Sequence, residues 1–488
     1  MLDSVLEQMS ATARWLQTTF LSMAILLCLV RFAWLGADFP NHSPWIMDEA
    51  KYTDEGWWAN AAVRHFLIGH WQVAGDYNPA AAVPVWPLLL TGVFHFTGVS
   101  LLAARALNVF FSIATVALVY LLVQRYGGTP AAAALAAALL AASPFAFAFS
   151  RLATLDTLVV FEWALALWAA SYAEPGRKWP LIVLGFLIPI MLLTKTTALV
   201  LLPAVFWLLF RKSFRSVLWV AVLAGAGFGI YLWIVLRSRY AADYNYFFDI
   251  NALADVDWGR TGFFLRQLWR NCMWIDRILY PSGLASLLLS LIWLRQLWRN
   301  PLFVAAWVGF AGEAVYIIRR QDDYAPRYFL AMLLPLILVL VLTLQELRGR
   351  KRRLGSLLAA TLAAALVLDT VQVAGFLSHR RYDFYNAAKS IRQIVDNDPR
   401  AHRLLLGSSG DQLSLMVRIP AINDGYSIQD LGQKVAFYQP GWYVGWNELD
   451  PDIMGFLTAF RLEQVASFPV FDRDQRNRLI LYRMEKVK

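Results

Sequence analysis

The chain has 488 residues, 59% of them hydrophobic and only 16% charged, and its mean hydropathy is +0.48. A soluble protein of this length carries about 25% charged residues, so a soluble globular fold is excluded. The formal charge of +10 does not mark a nucleic-acid binder, because the basic residues lie mostly in short loops between apolar runs, where orientation signals sit.

The first apolar stretch, residues 16–34, lacks a small-residue cleavage site and reads as a retained anchor. A hydrophilic loop, 36–83, follows it. Pro84 to Gly98 is apolar but only about 15 residues long, which suits an interfacial or re-entrant helix better than a span. Further apolar runs begin near residues 101, 130, 157, 180, 197 and 217. A second hydrophilic loop, 237–283, precedes runs beginning near 283, 301, 328 and 355. Together these predict a polytopic α-helical membrane protein with about eleven transmembrane helices, each near the ~20 residues that a ~30 Å hydrocarbon core requires. Cys28 and Cys272 offer neither a disulfide framework nor a metal-ligand spacing.

Charge fixes the expected orientation. The alternate connections carry Arg125, then Arg177 and Lys178, Arg211 to Arg215, Arg295 and Arg299, and Arg348 to Arg353. All are basic, so all belong in the cytoplasm, with the N-terminus inside and the C-terminus outside. Counting Pro84 to Gly98 as a span would reverse them. The expected setting is a bacterial inner membrane, with loops 36–83 and 237–283 and the chain after about Ser378 on the outer side.

Residues 1–378 are thus expected to form the membrane unit and 379–488 a small outer α/β domain, within the usual size range for a domain. Phe384 to Asp396 is helix-like, and Leu404 to Gly407 and Arg478 to Arg483 are strand-like. GSSG and PGWYVGW in this region are turn-like, and neither is a phosphate loop leading into a helix.

The first outer loop holds two acidic pairs, Asp48–Glu49 and Asp54–Glu55, set among Trp and Tyr residues beside the membrane. Trp57, Trp58, Ala61, Ala62 and Phe66 suggest an apolar helical stripe. DEGWWANAAVRHFLIGHW resembles the GT-C glycosyltransferases, among them bacterial lipid A aminoarabinose transferases and protein O-mannosyltransferases. Those enzymes place an Asp-Glu pair after the first span, followed by a helix ending in Gly-x-Trp. Asp54, Gly69 and Trp71 match that register, whereas Asp48 comes too early. Asn78–Pro79, Pro84, Gly98 and Arg105 continue the resemblance, as do SRLATLD, LLTKTT and PRYFLAMLLP. Val83 departs from it, standing where the aminoarabinose branch often has a lysine for the donor phosphate. The C-terminal region has no matching pattern.

The resemblance implies an inverting glycosyltransferase moving a monosaccharide from a polyprenyl-phosphate donor to a lipid, polysaccharide or protein acceptor. Asp54 is then the expected general base, which needs hydrogen-bond reach to the acceptor. Glu55 is expected to position the acceptor, hold a divalent metal or cap the following helix, with metal-independent chemistry favoured. Arg327 and Lys195 are the leading phosphate ligands, against snorkelling to the headgroups. Arg151 and Asp156 either pair with each other or serve the site, Asp156 orienting a cation or the sugar. Tyr328 is a substrate-side or belt residue, and Asp322 and Asp323 read as solvated loop charges. In the second outer loop, Arg260 and Arg266 are candidates to compensate for Val83. A secondary transporter would show inverted repeats and paired broken helices, which the sequence lacks; a non-enzymatic envelope scaffold is the other alternative.

Overall fold

The computed structural model describes residues 2–38, 51–174, 176–251, 258–320, 326–426, 430–449, 455, 457, 460–470 and 477–487. The acidic pair Asp48–Glu49 and the loop residues Asp322 and Asp323 lie outside the described residues. The membrane unit is built of α1 (Leu2–Val30), α2 (Asp54–Ile68), α3 (Val85–Thr97), α4 (Leu101–Arg125), α5 (Pro130–Ala142), α6 (Pro144–Phe149), α7 (Leu155–Ser171) and α8 (Trp179–Thr194). It continues through α9 (Leu202–Phe210), α10 (Phe214–Leu236), α11 (Ala241–Ile250), α12 (Thr261–Ile275), α13 (Leu279–Ile292), α14 (Pro301–Arg320), α15 (Leu330–Arg350) and α16 (Arg352–Ser378).

Every expected apolar run is helical, and the chain is a multi-pass membrane protein. Among the described residues, only 6 helices are long and apolar enough to cross alone, or 7 if α12 and α13, bent by 119°, count as one. The others are shorter because the chain breaks them. The run from Pro130 divides at Ser143–Pro144: Pro144 has no N–H to continue α5, and the Ser143 hydroxyl accepts from Ala146 N at 3.2 Å to start α6. The α8 run ends at Lys195, whose extended backbone (φ −157°) turns the chain into a 3-10 turn, Thr196–Leu201, ahead of α9.

α3 is 13 residues, roughly 20 Å at 1.5 Å per residue, and so too short for a ~30 Å core. It ends at Gly98, whose φ of +66° is open to glycine. Trp86, Leu90 and Phe94 are buried against Ala59, Ala62 and Val63 of α2, while Phe96 is 88% exposed. The expected stripe on α2 is met at Ala61 and Ala62, fully buried, and at Trp57 and Trp58, half-buried; Ala59 and Val63 join the buried face, and Phe66 is exposed.

α15 runs through the middle of the bundle, with Leu330 to Leu342 all buried. The alanines of α5 allow α1 and α15 to pack closely, as small residues do between membrane helices. The basic connections gather at one end. There Arg125 meets Glu174 at 2.6 Å, Lys212 lies in the field of Glu174, Gln345 donates to Gly127 O, and Gln296 donates to Glu346. The opposite end carries α2, α3 and the C-terminal domain.

That domain comprises α17 (Asp383–Asn397), β1 (Leu405–Leu406), α18 (Gly410–Val417), β2 (Ala421–Ile422), α19 (Leu431–Tyr438), β3 (Trp442–Trp446), β4 (Phe460–Pro469) and β5 (Arg478–Lys486). The sheet order is β2-β1-β3-β5-β4, with β1 parallel to β2 and β3, and β5 antiparallel to β3 and β4. Phe384, Ala387, Ala388, Ile391 and Val395 form the buried stripe of α17 against this sheet. Asp38 of the first loop caps α17, accepting from Phe384 N at 3.0 Å and Tyr385 N at 3.3 Å. The turn expected at PGWYVGW is in fact β3: Trp442 and Val444 go into the core on one face and Tyr443 on the other, the alternation of a strand covered on both sides.

Candidate active site

Four distant chain segments bring charge together at the domain-bearing end. Asp54 opens α2, and its Oδ1 accepts from the Thr53 hydroxyl at 2.8 Å. Its Oδ2 lies 2.5 Å from Nη2 of Arg327, held in a 3-10 turn (Pro326–Phe329) just before α15. Arg327 Nε is 3.7 Å from Oδ2 of Asp156 in the first turn of α7. Asp156 Oδ1 in turn accepts from Lys195 at the break after α8. These side chains are 8–15% exposed, so each keeps some access to solvent at this shallow cleft.

The Tyr328 ring lies 4.4 Å beneath Lys195 Nζ and 5.4 Å from the guanidinium of Arg327, a cation–π floor rather than a belt position. Glu313 and Tyr316 of α14 line a small pocket with Asp156, Lys195 and Tyr328. Two acidic residues escaped the sequence reading: Glu313, and Glu162, which accepts from the Thr194 hydroxyl at 2.8 Å. Lone carboxylates inside apolar helices were the available signal.

Glu55 lies outside this cleft. It is completely buried: Arg105 grips it through Nε at 2.7 Å and Nη2 at 2.6 Å, Ala153 N donates at 2.8 Å and Gln412 Nε2 at 3.1 Å. With its oxygens committed to protein donors, it ties α2 to α4, to the turn before α7 and to the C-terminal domain. The site-side expectation for Glu55 gives way to an anchoring one. Arg105→Met would leave this carboxylate buried and unpaired, and is expected to destabilise the protein by about 3–5 kcal/mol, read as a lowered thermal midpoint.

Arg151 does not pair with Asp156. It donates to Ala33 O at 2.6 Å and Trp34 O at 2.9 Å and stacks on Phe147, while Asp156 is taken by Lys195 and Arg327. Arg260 and Arg266 are exposed around the start of α12, Arg260 stacking on Phe264 at 5.2 Å, and no contact draws either towards Asp54 among the described residues. Val83 is buried in the α2–α3 packing. No group of three His, Cys, Asp or Glu capable of holding a metal ion occurs among the described residues.

A second buried network locks the outer loop to the C-terminal domain. Arg64 pairs with Asp76 and, at 3.3 Å, with Asp411, while Lys434 reaches Asp76 at 2.9 Å. Asp243 of α11 joins in by accepting from Asn78 N at 2.9 Å and Gln72 at 2.7 Å. Burial pushes the carboxyls of Asp243, Asp411 and Asp424 up to about 6. The folded state therefore binds more protons than the unfolded one between about pH 4 and 6, so the stability these groups contribute falls as pH rises through that window. Thermal unfolding is expected at a higher temperature at about pH 5 than at about pH 7.

The fold that carries these side chains is a multi-pass helical membrane bundle with a small C-terminal sheet domain. Residues 79–237 match the family model for dolichyl-phosphate-mannose-protein mannosyltransferase. The fold is similar to that of ArnT from Cupriavidus metallidurans bound to undecaprenyl phosphate, with a TM-score of 0.62 at 14% identity over 96% of this chain and 97% of that one. The apo form of the same protein gives a TM-score of 0.61 at 14% identity, covering 97% and 98%. The Saccharomyces cerevisiae Pmt1-Pmt2 complex bound to its sugar donor matches over 51% of this chain and 35% of that one, with a TM-score of 0.31 at 17% identity. No curated protein matches by sequence.

Proposed function

We infer that the protein is an inverting glycosyltransferase that moves a monosaccharide from a polyprenyl-phosphate donor to a cell-envelope acceptor on the outer face of a bacterial inner membrane. The observation that carries this reading is the interlocked Asp54–Arg327–Asp156–Lys195 chain at the end opposite the basic connections. Basic connections favour the cytoplasmic side, which supports an outer position for the cleft.

A donor phosphate entering the cleft competes with the carboxylates for Arg327 and Lys195. Arginine offers phosphate a bidentate fork and lysine a point charge, so Asp54 is released as the phosphate is gripped. The freed carboxylate takes the proton of the acceptor hydroxyl or amine as that atom bonds to the anomeric carbon. The bond from that carbon to the phosphate oxygen breaks, and its electron pair leaves with the phosphate, whose charge the two cations hold. Attack opposite the leaving group inverts the anomeric centre, as in inverting glycosidases. With Val83 in place of the lysine of related enzymes, Arg327 and Lys195 bear the phosphate-binding role. No metal is needed for these steps.

Mass spectrometry of envelope glycolipids, polysaccharides and glycoproteins with and without the protein tests the reading. One monosaccharide-modified species should disappear with the protein; identical profiles would contradict it.

A further inference from the structure

The first turn of α2, which carries Asp54, has no side-chain cap from Thr53, its N-cap residue. The Thr53 hydroxyl donates to Asp54 Oδ1 instead. The N–H groups of a first turn have no partner within the helix and are costly to bury unsatisfied. One of them, Gly56 N, is satisfied from 356 residues away: Gln412 Oε1 accepts it at 2.6 Å. The other end of the same carboxamide, Nε2, donates to Glu55 Oε2 at 3.1 Å. Gln412 is completely buried. The backbones are in direct apposition, since a Cβ on Gly56 would run into the main chain of Asp411 and Gln412.

We propose that Gln412 of the C-terminal domain is a positioning residue for the transfer reaction, capping α2 from a distant part of the chain so that the Thr53 hydroxyl is left to orient the Asp54 carboxylate. This rests on the reading of Asp54 as the base. It gives the C-terminal domain a part in the chemistry: through Gln412 it holds Glu55 and Gly56, and with them the residue that faces Arg327. Without the carboxamide, the Thr53 hydroxyl, already at the N-cap position, can turn to the cap, and in doing so it would let go of Asp54. A base displaced by about 1 Å costs roughly 100-fold in rate while substrate contacts elsewhere persist.

The test uses the full chain in lipid nanodiscs, a radiolabelled polyprenyl-phosphate sugar, an envelope extract as acceptor, and undecaprenyl phosphate as the binding probe. Gln412→Ala should lower kcat roughly 10- to 100-fold, while donor KM and undecaprenyl phosphate binding change less than about 2-fold. Gln412→Glu keeps an acceptor for Gly56 N but sets a second carboxylate against Glu55, so the bridge closes only when one of the two is protonated. Its kcat should therefore rise towards wild type as the assay moves from about pH 8 to about pH 5, relative to wild type at each pH. An unchanged kcat for Gln412→Ala overturns the proposal. So does a parallel loss of kcat, probe binding and thermal stability in both variants with no acid recovery in Gln412→Glu, which would mean packing alone. Asp54→Asn, run alongside, separates the two levels: turnover there overturns the base assignment, whereas a dead Asp54→Asn beside a normal Gln412→Ala overturns only the positioning role.

Discussion

Asp54→Asn is expected to lower sugar transfer by about 10²- to 10⁴-fold, the range a general base contributes. The substitution keeps the shape of the side chain and one acceptor oxygen, which can face Arg327, and removes the basicity, the charge and the second acceptor. Polyprenyl phosphate binding should hold or tighten, because an amide competes less strongly than a carboxylate for Arg327. Initial rates with a labelled donor, beside a thermal midpoint and a phosphate-lipid titration, separate these effects. Undiminished turnover in a folded protein would remove Asp54 from the mechanism.

Arg327→Gln should cost roughly 10²- to 10³-fold in kcat/KM, comparable to losing one charge-stabilising donor at a developing anion. Arg327 is the shared member of the chain, reaching Asp54 with one nitrogen and Asp156 with another. Its loss weakens the grip on the phosphate in both ground state and transition state, so KM should rise as kcat falls. Arg327→Lys should recover only part of the activity, since an ammonium cannot span two partners with fixed geometry. Normal kinetics in Arg327→Gln would move the phosphate site elsewhere, with exposed Arg260 and Arg266 the next cations to examine.

Much of the fold follows from composition and spacing, and the choice of site residues from the resemblance. Apolar runs broken by basic turns lead to a bundle with chemically different ends, and the 13 residues of α3 agree with a helix that does not cross. Asp54, Asp156, Lys195 and Arg327 sit on strings that share a family pattern, and the structure gathers them in one cleft. What sequence could not show depends on contacts between distant segments. Adjacent helical residues point about 100° apart, so Asp54 and Glu55 face different surroundings, and only packing shows that Arg105 claims the second. Nothing local to Gln412 announces that its amide ends up on Gly56. PGWYVGW reads as a turn from its glycines and proline, yet burial of Trp442 and Val444 between helix and sheet outweighs that preference and makes it a strand. Ser143–Pro144 shows the opposite case, a local break inside a run whose hydropathy alone looks continuous.

The most direct test of the central claim follows a polyprenyl-phosphate sugar, labelled at the anomeric carbon, with the purified protein in proteoliposomes and an envelope acceptor extract. Sugar transfer predicts release of one polyprenyl phosphate for each sugar moved and an inverted anomeric configuration in the product, both lost in Asp54→Asn. An intact donor whose label merely crosses the bilayer, or a product of retained configuration, would contradict it.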